Sequence, residues 1–144
     1  MRTLNTLLTA TAAAATLTLL SQAPARANTI AEILGGEVLA TANFVGEGSY
    51  TATGQAQLIQ VGSQLYVVLG SDFQFSGAPD PRLGFSRNDE FLSATTFSSL
   101  NLNSGQQIYR LPARLAGSAL EDLTVDEITL WCEKFGVPLA EAKF

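Results

Sequence analysis

From Val38 onward apolar residues recur at every second position, and glycine, proline, asparagine and serine cut them into short runs. Such a chain has room for strands and none for a long helix. Val38, Ala40, Ala42 and Phe44 alternate with polar or small residues, and Gly46, Gly48 and Gly54 follow. GQAQLIQV and LYVVLG flank Gly62-Ser63, which predicts strands over 55–61 and 64–69 joined by a tight turn of primed geometry. Asp72-Phe73-Gln74-Phe75 alternates again, and Gly77, Pro79, Asp80 and Pro81 predict a loop whose prolines exclude a central strand. Further elements are expected at 83–85, 91–102, 106–111 and 124–135. Helical turns are invited only by NTIAEILG at 28–35 and GSALEDL at 117–123. The expected class is all-β: an antiparallel β-sandwich or flattened barrel with at most a short N-terminal helix.

The N-terminus reads as a targeting segment. Arg2 supplies a positive start, Leu7 to Leu20 form an apolar run of Leu, Ala and Thr, and Ala25-Arg26-Ala27 supplies the small-x-small cleavage pattern. The run is too short and Thr-rich for a spanning helix, which takes about 20 strongly apolar residues. Residues 1–27 are therefore expected to be a signal peptide and 28–144 one mature domain, beginning at Asn28 and exported to the periplasm or the medium. At about 117 residues that remainder suits a single core, and no other stretch is apolar enough to cross a bilayer.

Charge narrows the partners. Without Arg2 and Arg26 the net charge of −5 becomes −7, with six Lys and Arg against thirteen Asp and Glu. The cations Arg82, Arg87, Arg110, Arg114, Lys134 and Lys143 are scattered singly, whereas a phosphate-tracking surface needs them clustered, so nucleic acid is not an expected partner.

The inventory of side chains closes several chemistries. The chain has no His, and its one Met is the initiator. Bis-His or His-Met haem, blue copper, His-based zinc hydrolysis and His-dependent nucleophiles are thereby closed to a single chain. No SxxK spacing, P-loop, dinucleotide fingerprint or EF-hand spacing occurs. Glu121, Asp122, Asp126 and Glu127 contain enough carboxylates for a glycosidase pair about 5 to 9 Å apart or for calcium, but read first as a solvated acidic loop.

Cys132 stands alone, so no disulfide can form within the chain. At a period of two it shares a face with Ile128 and Leu130, while Trp131 points the other way with Thr129 and Glu133. Three readings stay open: a buried inert thiol, a bridge to another chain, or a thiol kept for chemistry or ligation.

Several patches carry a family resemblance. They are ITLWCEKFGVPLAEAKF with Trp131-Cys132, Phe135, Val137, Ala140 and Ala142; GQQIYRLP with Gly105, Gln107, Tyr109, Leu111 and Pro112; Pro79-Asp80 in GAPDPRLGF; and the hairpin opened by Gly54. Together they resemble the DM-thirteen domain, described as an electron-transfer domain, from about residue 36 to the C-terminus. The resemblance implies a β-sandwich-like fold. It also implies a redox role for Cys132, as a naked thiol or as the ligand of a group such as haem, with redox proteins as partners. Trp131 and Tyr109 are then the aromatic candidates beside the thiol, and Asp80 marks the family's turn. Tyr50 and Thr51 stand where family members often carry His, and Ala78 interrupts the Gly-Pro-Asp turn. The competing expectation is a non-catalytic ligand- or protein-binding sandwich of the cell envelope with Cys132 as core filler.

Overall fold

The computed structural model describes residues 28–144, and the leader read over 1–27 lies outside them. Twelve strands follow one another: β1 (Glu37–Asn43), β2 (Val45–Gly46), β3 (Ala52–Thr53), β4 (Gln55–Val61), β5 (Gln64–Leu69), β6 (Gln74–Phe75), β7 (Pro81–Arg87), β8 (Glu90–Leu92), β9 (Ser98–Ser99), β10 (Gln107–Arg110), β11 (Glu127–Cys132) and β12 (Val137–Lys143). Two short α-helices accompany them, α1 (Ile30–Leu34) before β1 and α2 (Ser118–Asp122) between β10 and β11.

The strands form an all-β sandwich of antiparallel sheets. One sheet has the order β1-β4-β5-β10. The other has the order β2-β12-β11-β7-β8, with β9 also on β7, and β3 pairs with β6 as a small ribbon. Strands β4 and β5 have the bounds the sequence predicts, and Gly62 takes the positive φ of 60° that a II′-type turn requires of its first residue.

Alternation decides what faces inward. Ala56, Leu58, Leu65, Val67 and Leu69 of one sheet meet Leu83, Phe85, Ile128, Leu130, Cys132, Ala140 and Ala142 of the other in a single core. Burying each large side chain there contributes about 1.5–3 kcal/mol before entropy is set against it. The opposite face of the first sheet is also apolar: Ile59, Tyr66 and Val68 are buried under Ile33 of α1. That coverage explains so short a helix. Thr29 and Glu32 close a reciprocal capping box at its start, and Asn28 Nδ2 donates to the Tyr66 hydroxyl at 2.8 Å.

Two expectations change. Residues 77–80 form the expected loop, but the prolines do not exclude a central strand, because Pro81 is the first residue of β7, which lies between β11 and β8. A proline is tolerated at a strand's first position, where it withdraws no interior ladder donor. The second helix, α2, adds to the N-terminal one and lies in the GSALEDL stretch that invites a helical turn. Among the described residues no helix is long and apolar enough to cross a membrane.

Candidate functional site

Strand β11 positions the residues singled out by the sequence. Its inward row of Ile128, Leu130 and Cys132 is wholly buried, as period two demands. Cys132 pairs with Pro81 on one side and Val137 on the other, and its Sγ donates to the Pro79 carbonyl at 3.0 Å. Asp80, at φ 47°, turns the chain here; its carbonyl accepts the Glu133 N–H at 3.1 Å, and its carboxylate pairs with Arg82 at 2.8 Å. The Pro79–Pro81 turn thus closes over the thiol, bringing together residues some fifty positions apart in sequence.

Trp131 lies on the other face of β11. Its ring stacks on Phe91 at 4.5 Å with planes 8° apart, and Phe91 approaches so closely over Gly84 that a Cβ there would stand 2.8 Å from the ring. The indole is therefore half-buried by its own chain. Tyr109 belongs to the opposite sheet. Its hydroxyl donates to Gln107 Oε1 at 2.6 Å and accepts the Asn101 N–H at 3.0 Å, and its ring meets Phe97 edge-on. Desolvation raises its phenol above the ordinary value. Of the four residues, Asp80 and Cys132 lie where the 79–81 turn crosses the end of β11, each bonded to the other's chain neighbour, Glu133 and Pro79; Trp131 faces away from the thiol, and Tyr109 has a hydrogen-bond network of its own.

This geometry decides what Cys132 can do. A thiol with no exposed surface cannot bridge to another chain or meet a reagent unless the structure opens. Haem ligation does not fit either. The Sγ is enclosed, its hydrogen is donated to a carbonyl, and the sequence offers neither His nor a further Met as a second ligand. Replacing Cys132 with Ser is expected to cost no more than about 1.5 kcal/mol, because the hydroxyl can donate to the same Pro79 carbonyl. Urea unfolding measures it, and a loss above about 3 kcal/mol would mean that the thiol packs in a way serine cannot replace.

The acidic stretch does not act as one group. Glu121 and Asp122 ride on α2, Asp126 accepts the Asn88 N–H, and Glu127 turns onto the outer face of the second sheet. There Glu127 meets two carboxylates that sequence reasoning missed, Asp89 and Glu141, together with Lys143. Burial, followed by the Glu127 charge, pushes the Glu141 carboxyl above its ordinary range. The hydrogen bond from Lys143 holds Asp89 below its own, and the same bond raises the Lys143 ammonium.

A groove of about 440 Å³ opens at one end of the sandwich. Leu39, Leu58, Leu65, Leu120, Val125 and Phe144 line it, with Gln60 and Glu121 as polar groups. Two smaller grooves lie elsewhere, one at Arg82, Ser93, Thr96 and Glu133, the other along β3 and β6; Cys132 lines none of the three. Fold and site together define an all-β sandwich domain with an enclosed thiol, an apolar end groove and a carboxylate cluster on one outer face. In comparisons with known proteins the chain matches no protein-family model, no curated protein and no solved structure.

Proposed function

We propose that this chain is an exported, non-catalytic binding domain that takes a small, mainly apolar ligand into the groove beside α2, with Cys132 as core packing. The end groove is the observation that carries the reading. Its volume falls within the usual size of small-molecule sites, and its wall is apolar with a few polar groups, the composition such sites share. The enclosed thiol supports the same reading, since it offers no accessible nucleophile or ligand.

Titration with the fluorescent probe 1-anilinonaphthalene-8-sulfonate tests it. The native protein is expected to bind the probe saturably. Leu39→Glu and Phe144→Glu, both at partly exposed positions of the wall, are expected to weaken binding about tenfold each, the loss that one removed apolar contact produces. Unsaturable binding, or saturable binding that neither substitution affects, would sink the proposal.

A redox module acting with redox partner proteins, the role implied by resemblance to the DM-thirteen domain, is the second reading. It is favoured by the meeting of the Pro79-Asp80 turn with Cys132 across the fold. A coloured purified protein whose colour is lost in Cys132→Ser would put that reading first.

A further inference from the structure

On the outer face of the second sheet, Glu127 and Glu141 are diagonal neighbours, because Glu127 pairs with Lys143 and Thr129 with Glu141. The β7–β8 turn, with Asn88 and Asp89 both at positive φ, brings Asp89 over them, and its N–H donates to Glu127 Oε1 at 3.0 Å. One oxygen from each of the three carboxylates lies within 4.8 Å of the other two. Oxygens that share a calcium ion at about 2.4 Å can stand no farther apart than about that distance.

The second observation is Glu127 itself. Its side chain is 2% exposed, and its Oε2 is buried without any hydrogen-bond partner. A buried carboxylate oxygen with nothing to accept is costly and calls for a cation. The nearest cation is the Lys143 ammonium, which binds Asp89 and stands 3.6 Å from Glu127 and 3.5 Å from Glu141. One positive charge answers three negative ones, and Glu47 adds a further negative charge near Glu141. The Lys143 side chain is more than half exposed, so its ammonium can swing into solvent while the backbone stays in β12.

We propose that Asp89, Glu127 and Glu141 form a calcium site in which the Lys143 ammonium is a tethered competitor displaced by the ion. An all-carboxylate donor set selects hard cations over zinc or copper. Asp89 on an exposed turn can adapt its reach, which suits calcium's loose geometry better than the strict octahedron of magnesium.

Isothermal titration of the purified protein with CaCl₂, and separately with MgCl₂, at fixed ionic strength tests the site. Wild type is expected to bind calcium with a Kd of about 10⁻⁴–10⁻³ M, the range of extracellular modules, and magnesium more weakly. Lys143→Gln is expected to tighten calcium binding roughly tenfold by removing the competitor, and Glu127→Gln to weaken it by at least as much, since ligand charge tunes the affinity. Should Glu127→Gln fail to fold, Asp89→Asn, at an exposed side chain, is expected to show the same weakening. No calcium heat up to about 10 mM, or equal affinity in wild type and Lys143→Gln, or binding indifferent to Asp89→Asn, would overturn the proposal.

Discussion

In the native protein Cys132 is expected to react with a small disulfide reagent at least about a thousandfold more slowly than in the denatured chain. Its side chain has no exposed surface, the Pro79–Pro81 turn covers it, and its hydrogen is donated to a backbone carbonyl. Attack therefore waits for an opening of the turn or of the end of β11. An opening free energy of only about 4 kcal/mol, below the usual range for global unfolding, already produces a thousandfold protection. Ellman's reagent, with and without guanidinium, gives the ratio directly. Native labelling within about tenfold of the denatured rate would show an accessible thiol and remove the argument for Cys132 as core packing.

The second large effect is expected at Gly54, where β3 passes into β4. Its φ is 98°, and an added Cβ would stand 2.4 Å from Phe73 Cα and 2.6 Å from the Asp72 carbonyl oxygen. Those are backbone atoms, tied by the Gly70 N–H to Gln55 carbonyl bond and by the Asp72 carboxylate accepting the Gln55 N–H. Neither wall can step aside as a flexible side chain would. Backbone strain and overpacking together are expected to cost about 3–6 kcal/mol, much of a small domain's stability. Gly62→Ala is the control. That residue also has positive φ, but nothing lies within 4 Å of its Cβ position, so about 1–2 kcal/mol is expected from strain alone. Thermal or urea unfolding of the two variants compares them, and equal losses would contradict the steric account of Gly54.

The local grammar of the chain was the legible part. Strands β4 and β5 and their turn follow from alternation plus Gly62-Ser63, and the same rule placed Ile128, Leu130 and Cys132 in the core and Trp131 on the other face. The helical turns within 28–35 and at Ser118–Asp122 were also local signals. Boundaries failed where a residue had two uses. Pro81 ends a loop and also begins a strand, and Gly136, at φ 64°, closes the turn over 133–136 that separates β11 from β12. The carboxylate cluster was out of reach because it depends on the register of β7, β11 and β12. Asp89, Glu127 and Glu141 become neighbours only once those three strands are aligned. The end groove needs α2 placed against β1, β4 and β5, which no spacing rule supplies.

Strand β1 ends its sheet, and its pairing with β4 slips between Val38 and Ala40, so that Leu39 bulges out of the ladder. Half-exposed Val38 and Leu39 would otherwise make this rim an inviting template for a neighbouring molecule. The extra residue breaks the even spacing of donors and acceptors that an incoming strand must match, and it increases the local twist. The rim thereby carries its own guard against stacking edge to edge into fibrils, built from a single misaligned leucine.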